Sequence, residues 1–263
     1  MKKGISVLLA LVLSLNLTAC GGNAAQGEET PVEITVFAAA SMQESLSAAI
    51  EGYRAVAPEV TVVVTYDSSG TLKTQIEEGA PCDLFISAAP RQMNELEELG
   101  MLAEGSRLDL LENKVTLAVP EGNPAGIERF DQLADLLKNG QVMLAVGNSD
   151  VPVGQYTQKI FAYYGIDEAA VGDKLTYGSN VKEVTKQVSE AAVDCGIIYG
   201  TDAFSAGLTV VDSATAEMCG QVIYPAAVMN SGEQPDAAAD FLAYLQTADA
   251  LACFEAVGFS PMV

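Results

Sequence analysis

The alternation of strand-like and helix-like segments from residue 33 onward most constrains how this chain can fold. In chain order, the first segments are ITVFAA (34–39), a helical pattern over 41–57, VTVVVTY (60–66), a helical pattern over 72–79, DLFISAA (83–89) and a helical pattern over 91–102. Short apolar strands joined by amphipathic helices are typical of βαβ units. The order therefore predicts a parallel sheet with right-handed crossovers.

The pattern restarts after residue 113 and predicts a second set of elements. Strands are predicted at 114–120, 141–147, 195–200, 208–212 and 221–229, and helices near 129–138, 153–164, 180–192 and 234–258. We therefore expect an α/β protein of two lobes, each with a mixed, mostly parallel sheet flanked by helices. Residues 33–113 plus 223–263 would form lobe I, because the last helices need a sheet to cover, and residues 114–222 would form lobe II. The two crossings would make a hinge around a ligand cleft.

The first 32 residues carry targeting signals. Lys2 and Lys3 precede an apolar run at 4–15, which is short for a membrane span and has the layout of an export signal. The following Leu-Thr-Ala-Cys resembles a bacterial lipobox, so residues 1–19 are predicted to be a lipoprotein signal peptide and Cys20 the lipidated residue. Residues 20–32 read as a flexible tether, which places the protein on the extracytoplasmic face of a membrane. An ordinary signal peptide that contains a cysteine is the alternative.

Charge and composition exclude several classes of function. The chain carries a formal charge of −22, which argues against nucleic-acid binding. It has no histidine, so a Ser-His-Asp triad is impossible. Nucleotide-binding glycine motifs and the usual zinc-ligand clusters are also missing from the sequence.

The cysteines after Cys20 leave their pairing open. Cys82, Cys195, Cys219 and Cys253 show no C-x-x-C spacing, and export permits disulfides. Buried free thiols are an equal alternative. A bond between Cys195 and Cys219 is the pairing we favour.

Two serines stand where a predicted strand gives way to a helix. Ser41 follows three alanines and precedes Glu44 by three residues, the spacing of a capping box. Ser69 lies in Asp67-Ser68-Ser69-Gly70-Thr71, where it can cap a helix while Gly70 permits close approach. Plain helix capping is the simpler interpretation of both.

Three further stretches have the same position relative to the predicted sheet. Pro152 would begin a helix and leave the backbone N–H of Val153 free. Asn180 and Glu183 have capping-box spacing, with the N–H of Val181 at the helix tip. Tyr199 ends a buried strand, so its hydroxyl would stand at the carboxyl edge of the sheet.

The five stretches gain meaning together, because ligands of open α/β sheets lie beyond the carboxyl ends of strands. Each helix tip offers unpaired N–H donors and about half a positive charge. Two lobes that face each other would bring several tips to one cleft. Such a cleft can bind an anion without lysine or arginine.

Four longer stretches resemble the periplasmic molybdate-binding proteins of bacterial molybdate ABC transporters. They are ITVFAAASMQESL, SSGTLKTQIEEGAPCDLFISA, LAVGNSDVPVGQY and GIIYGTDA, and the resemblance spans residues 33–260. It implies the type II periplasmic-binding-protein fold and no enzymatic activity. It also implies capture of molybdate or tungstate, without a cofactor, by a monomer that delivers the ion to a transporter permease.

The resemblance also implies which residues hold the oxyanion. They are the hydroxyls of Ser41, Ser69 and Tyr199 and the backbone N–H groups of Val153 and Val181, with no direct ligand from protein to metal. Valine replaces the family's alanine at position 153, which a backbone contact tolerates. Three alternatives remain open: a binder that prefers tungstate, sulfate or thiosulfate; a lipid-anchored enzyme with Ser69 as nucleophile; and a surface module with a vestigial cleft.

Overall fold

The structure is a computed structural model and describes residues 31–263. The predicted signal peptide, the lipidation at Cys20 and residues 20–30 of the predicted tether lie outside the described residues. Within 31–263, no helix combines the length and the apolar character that crossing a bilayer requires.

Eleven strands are described between residues 31 and 263. They are β1 (Val32–Ala39), β2 (Val60–Asp67), β3 (Leu84–Ile86), β4 (Leu108–Asn113), β5 (Val115–Val119), β6 (Leu144–Gly147), β7 (Leu175–Gly178), β8 (Cys195–Tyr199), β9 (Thr209–Ser213), β10 (Val222–Val228) and β11 (Ser260–Pro261).

Ten α-helices and three short 3₁₀ turns connect these strands. The helices are α1 (Gln43–Val56), α2 (Ser69–Glu77), α3 (Pro90–Glu98), α4 (Leu133–Lys138), α5 (Pro152–Tyr164), α6 (Val181–Ser189), α7 (Gly200–Ser205), α8 (Ala216–Cys219), α9 (Pro235–Tyr244) and α10 (Ala248–Glu255). The 3₁₀ turns cover Ala40–Met42, Phe130–Gln132 and Gly172–Lys174.

The strands form two mixed sheets. One has six strands in the order β11-β4-β10-β3-β1-β2, and the other has five in the order β7-β6-β8-β5-β9. The expected α/β architecture of two mixed sheets flanked by helices is confirmed. Parallel pairing is confined to β2-β1-β3 and to β7-β6-β8, and the remaining pairs are antiparallel. The sheets are therefore less parallel than predicted. The chain leaves the six-stranded sheet after β4 and returns to it through β10, and these two strands pair antiparallel. It enters the five-stranded sheet through β5 and leaves it after β9, and these strands also pair antiparallel.

Central strands of both sheets are covered on both faces. In β1, Val36 and Ala38 belong to the larger apolar core, whereas Phe37 belongs to a second cluster with Leu72 and Phe85. This follows from the alternation of side chains along a strand. Strands β5 and β8 are buried along their whole length, which explains why their sequences are continuous apolar runs.

The C-terminal helices pack on the six-stranded sheet. Helix α10 lies against α1, and α9 contacts β10 and β1. The predicted helix over 234–258 is two helices, because Thr247 caps the second one by accepting a hydrogen bond from Ala250 N–H. The helix predicted to end at residue 102 instead ends at Glu98, where Gly100 adopts a φ of +68°.

The four cysteines that the structure describes are free thiols, so the favoured Cys195–Cys219 disulfide is wrong. Cys195 lies in the central strand β8 with its Sγ 3.9 Å from Met143 O, and Cys219 ends α8 with its Sγ 3.8 Å from Thr215 O. Burial raises the pKa of Cys82 and that of Cys195 to about 12. Both thiols therefore stay protonated near neutral pH.

Asp83 joins the first strand to the C-terminal helices. Its carboxylate accepts hydrogen bonds from Thr35 N–H at 2.6 Å and from Gln234 N–H at 2.8 Å. The residue is buried, so both N–H groups depend on it for a partner.

We expect Asp83→Ala to lower the free energy of unfolding by about 2–4 kcal/mol, because it leaves two partly buried donors unpaired. Asp83→Asn should lose less, since its amide oxygen can still accept. Urea denaturation of both variants measures this, with the exposed Asp240→Ala on α9 as control. Equal effects of Asp83→Ala and Asp240→Ala would contradict this role of the carboxylate.

Candidate functional site

A small cavity lies between the two sheets, at the carboxyl ends of their parallel strands. All five predicted site residues line it, and its complete lining is Ala39, Ala40, Ser41, Asp67, Ser68, Ser69, Ala88, Val151, Pro152, Val153, Val181 and Tyr199. The cavity volume is about 10 Å³. Sites for drug-sized organic ligands usually measure about 300–1,000 Å³, so this nearly closed cavity suits only a very small ligand.

Ser41 is buried in the 3₁₀ turn between β1 and α1. Its hydroxyl lies 2.8 Å from that of Tyr224, which belongs to β10. The predicted capping box with Glu44 is wrong, because the turn makes Met42 the N-cap of α1 and turns Ser41 toward the cavity. Glu44 instead forms an ion pair with Lys182, at 2.6 Å.

The two serines that follow β2 have different roles. Ser68 is the N-cap of α2, since its hydroxyl accepts from Thr71 N–H at 3.1 Å, so the cap expected of Ser69 lies one residue earlier. Ser69 begins the helix and is fully buried, and its Oγ accepts from Ala88 N–H at 2.9 Å. An N–H can only donate. The hydroxyl hydrogen of Ser69 is therefore available to a ligand.

Two helices that follow strands of the five-stranded sheet present backbone donors. Val153 is the second residue of α5, and Val181 is the first residue of α6. The N–H groups of a helix's first turn have no intrahelical acceptor. Asn180 caps α6 by accepting from Glu183 N–H, as predicted, but Glu183 accepts from Ser179 N–H and so leaves the box incomplete.

Tyr199 ends β8 and is almost completely buried. Its hydroxyl lies 3.5 Å from the backbone oxygen of Ala88, a long hydrogen bond that a better acceptor can replace. Burial raises the pKa of Tyr199 well above its ordinary value. The hydroxyl therefore keeps its hydrogen near neutral pH and acts as a donor.

Asp67 is the one charged residue among the described lining residues, and the sequence analysis did not assign it to the site. Its Oδ1 accepts from Ser68 N–H at 2.7 Å and lies 3.4 Å from the side-chain amide of Asn180 on the other side of the cleft. Of the residues that the structure describes, no lysine or arginine lines the cavity. The site thus combines many donors with one carboxylate. The position of Asp67 directly before Ser68 and Ser69 was the only sequence signal for it.

The two sides of the cleft approach each other closely beside the cavity. A Cβ atom built on Gly70 would lie 2.1 Å from the backbone oxygen of Asp150, so this contact requires glycine. The ion pair of Glu44 with Lys182 also joins the two sides, since Glu44 lies on α1 and Lys182 on α6. In residues 31–263, no cluster of three histidine, cysteine or acidic side chains could hold a metal ion.

Comparison with known proteins places the chain in a family. The model of bacterial extracellular solute-binding proteins matches residues 34–260, and the chain belongs to this family. It is a binding protein rather than an enzyme.

The chain is also similar to individual proteins over its full length. It is 32% identical to YvgL of Bacillus subtilis, provisionally named an ABC transporter substrate-binding lipoprotein, with 98% of both chains covered. It is 32% identical to the molybdate-binding protein ModA of Mycobacterium tuberculosis, with 96% of both covered.

Two solved structures share the fold. The substrate-binding domain of a protein provisionally named a molybdenum ABC transporter, from Clostridium difficile, is 31% identical, with a TM-score of 0.66 and coverage of 88% of this chain and 100% of that one. The sulfate-binding protein SubI from Mycobacterium tuberculosis is 19% identical, with a TM-score of 0.75 and coverage of 88% and 87%. The second likeness concerns the fold alone.

Asp202, on α7 beside the cavity, is a buried carboxylate with few groups to stabilise its negative charge. Its side chain is inaccessible to solvent, and neither oxygen makes an aligned hydrogen bond, although Lys182 Nζ lies 3.2 Å from Oδ1. Burial raises the pKa of Asp202 to about 6, against the attraction of Lys182. The folded protein therefore holds this proton more tightly than the unfolded chain.

The Asp202 contribution to the free energy of unfolding should fall as pH rises from about 4 to about 6. Asp202→Asn removes this pH-dependent contribution, because an asparagine side chain does not titrate. The stability of the variant relative to the wild type should therefore grow with pH, by up to about 3 kcal/mol between pH 4 and 7. Urea denaturation across this range measures the difference. A difference that does not change with pH would show that the carboxyl has an ordinary pKa.

Proposed function

We propose that this chain captures molybdate, and also tungstate, as the extracytoplasmic binding component of an ABC importer. The observation that carries the proposal is the convergence of three hydroxyls and several helix N-termini on one small cavity. Ser41, Ser69 and Tyr199 supply the hydroxyls, and Val153 and Val181 stand at the first turns of α5 and α6. Donors of this kind bind anions without cationic side chains.

The energetics of such a site are adequate for transport. A hydrogen bond to a charged partner contributes about 1.5–3 kcal/mol. Five to seven such bonds would offset dehydration and closure and give micromolar to nanomolar affinity, or roughly −8 to −12 kcal/mol. Full occupancy at low ion concentration would follow.

The donor-rich lining favours a tetrahedral oxyanion without protons. Molybdate, tungstate and sulfate meet this condition near neutral pH, whereas hydrogen phosphate needs an acceptor for its proton. The one carboxylate in the lining is Asp67, and its Oδ1 already accepts from Ser68 N–H. The names of the relatives YvgL and ModA favour an ABC importer and molybdate. A preference for sulfate is the second candidate, because sulfate is also a tetrahedral dianion without protons near neutral pH.

Transport requires more than the cavity. We propose that the six-stranded sheet and the five-stranded sheet belong to two lobes that hinge at their chain crossings and close over the ion. The closed monomer, anchored through lipid on Cys20, would then dock on a permease. The provisional name of YvgL as a lipoprotein supports the anchor.

The double variant Ser41→Ala with Ser69→Ala should bind molybdate at least tenfold more weakly. The change removes two hydroxyl donors to a charged ligand and leaves the helix caps in place. Calorimetric titration with molybdate, tungstate, sulfate and phosphate measures both affinity and preference. Ser45→Ala is the matched control, because Ser45 is a buried serine on α1 that donates to Met42 O outside the cavity. Unchanged affinity in a folded double variant would refute the site.

Asp67→Asn tests whether the ligand carries a proton. An asparagine oxygen can still accept from Ser68 and Asn180, whereas the negative charge is lost. For a fully deprotonated dianion such as molybdate, affinity should rise by at least about threefold because a nearby repulsion disappears. If hydrogen phosphate were the natural ligand, Asp67 would accept its proton and the same change would weaken binding. Calorimetry with both anions separates the two cases.

A further inference from the structure

A chain of buried polar groups runs from the crossing between the sheets to the candidate site. It begins at Asn113, the last residue of β4, directly before Lys114 carries the chain toward β5. The amide nitrogen of Asn113 lies 3.2 Å from the hydroxyl oxygen of Tyr224, which in turn lies 2.8 Å from Ser41 Oγ. The sequence singled out neither Asn113 nor Tyr224.

The direction of the hydrogen bonds in this chain is fixed at its first member. Asn113 Oδ1 accepts from the backbone N–H of Lys114 at 2.8 Å, so the other arm of the amide must be the NH₂ group. That group donates one hydrogen to Thr201 Oγ1 at 2.9 Å and the other to Tyr224. Tyr224 is therefore an acceptor toward Asn113.

The same reasoning favours one orientation of Ser41. Tyr224 already accepts from Asn113, and its own hydrogen is paired when it is directed to Ser41 Oγ. Tyr224 is fully buried and Asn113 nearly so, which makes an unpaired hydrogen costly. Ser41 then accepts from Tyr224. Its hydroxyl hydrogen is free to point into the cavity.

We infer that Asn113 and Tyr224 are positioning residues, which hold the Ser41 hydroxyl as a donor toward the bound anion. This inference rests on the proposed function. Neither residue lines the cavity, so both would act on the ligand through Ser41. Their effect is to orient the Ser41 dipole before the ion arrives, which lowers the cost of binding. Hydrogen bonds also strengthen one another when each group in a chain accepts from the group before it and donates to the next.

Thr201 forms a side branch of the chain. It accepts from the same Asn113 amide but lies off the path to Ser41. Thr201→Val removes a buried hydrogen bond of similar geometry without changing the direction of the remaining ones. It is therefore the matched control for a loss of stability without a loss of orientation.

A double-mutant cycle on molybdate affinity tests the inference. Tyr224→Phe should weaken binding about fivefold in the wild-type background and less than twofold in the Ser41→Ala background, because the phenol acts only through Ser41. Thr201→Val should change affinity less than twofold in both. The melting temperature of each ligand-free variant reports the structural cost separately.

Asn113→Asp gives a second cycle if Tyr224→Phe does not fold. An aspartate accepts the Tyr224 hydrogen, so Ser41 must donate to Tyr224 and no longer to the ligand. Binding should fall at least tenfold, and the part that depends on Ser41 should vanish in the Ser41→Ala background. The added charge acts in both backgrounds and cancels in the cycle.

The outcomes distinguish this inference from the proposed function. Equal losses of affinity in both backgrounds would show that Tyr224 is merely structural and would overturn the inference, while molybdate binding by the wild type would stand. A wild-type chain that binds none of molybdate, tungstate and sulfate would overturn the proposed function, and the positioning role with it.

Discussion

Hydrogen-bond donors buried at helix N-termini need acceptors, and this requirement governs the site. Several strands of the two sheets end around one cavity, and each is followed by a turn or helix whose first N–H groups lack intrahelical partners. Leaving such donors buried and unpaired is costly. A small anion between the sheets would supply the missing acceptors. The unpaired N–H groups thus make it unfavourable to close an empty cavity, and they favour an anion as the ligand.

The contacts around the cavity explain why closure can be tight. Gly70 allows the backbone of Asp150 to approach a helix start where any side chain would collide. The ion pair of Glu44 with Lys182 joins the two sides nearby, and Asp67 lies close to Asn180 across the cleft. These contacts link the two sides beside the cavity, and the larger apolar core also contains buried residues of both sheets.

Local pattern was sufficient to predict much of this architecture. The strands β1, β2 and β8 and the helix starts at Pro152 and Val181 follow from short-range signals, and the five predicted site residues line one cavity. Other features depend on partners far along the chain. Strand β4 was missed because its sequence, LDLLEN, has no clear alternation and gains its place by pairing with β10 and β11.

The same limit applies to the residues around the ligand. The sequence placed Tyr224 in a predicted strand at 221–229, and only the fold brings it to Ser41, which lies 183 residues away. Ser41 itself resembled a helix cap until the 3₁₀ turn showed Met42 in that role. Spacing along the sequence identifies helix tips well. Spacing alone does not show which hydroxyl caps a helix and which one points into the cavity.

A crystal structure grown with molybdate tests the central claim most directly. A molybdenum anomalous difference map should show one strong peak in the cavity, with oxygens about 2.7–3.2 Å from the Ser41, Ser69 and Tyr199 hydroxyls and from the N–H groups of Val153 and Val181. A peak elsewhere on the protein, or a cavity without a peak in crystals saturated with the ion, would contradict the account.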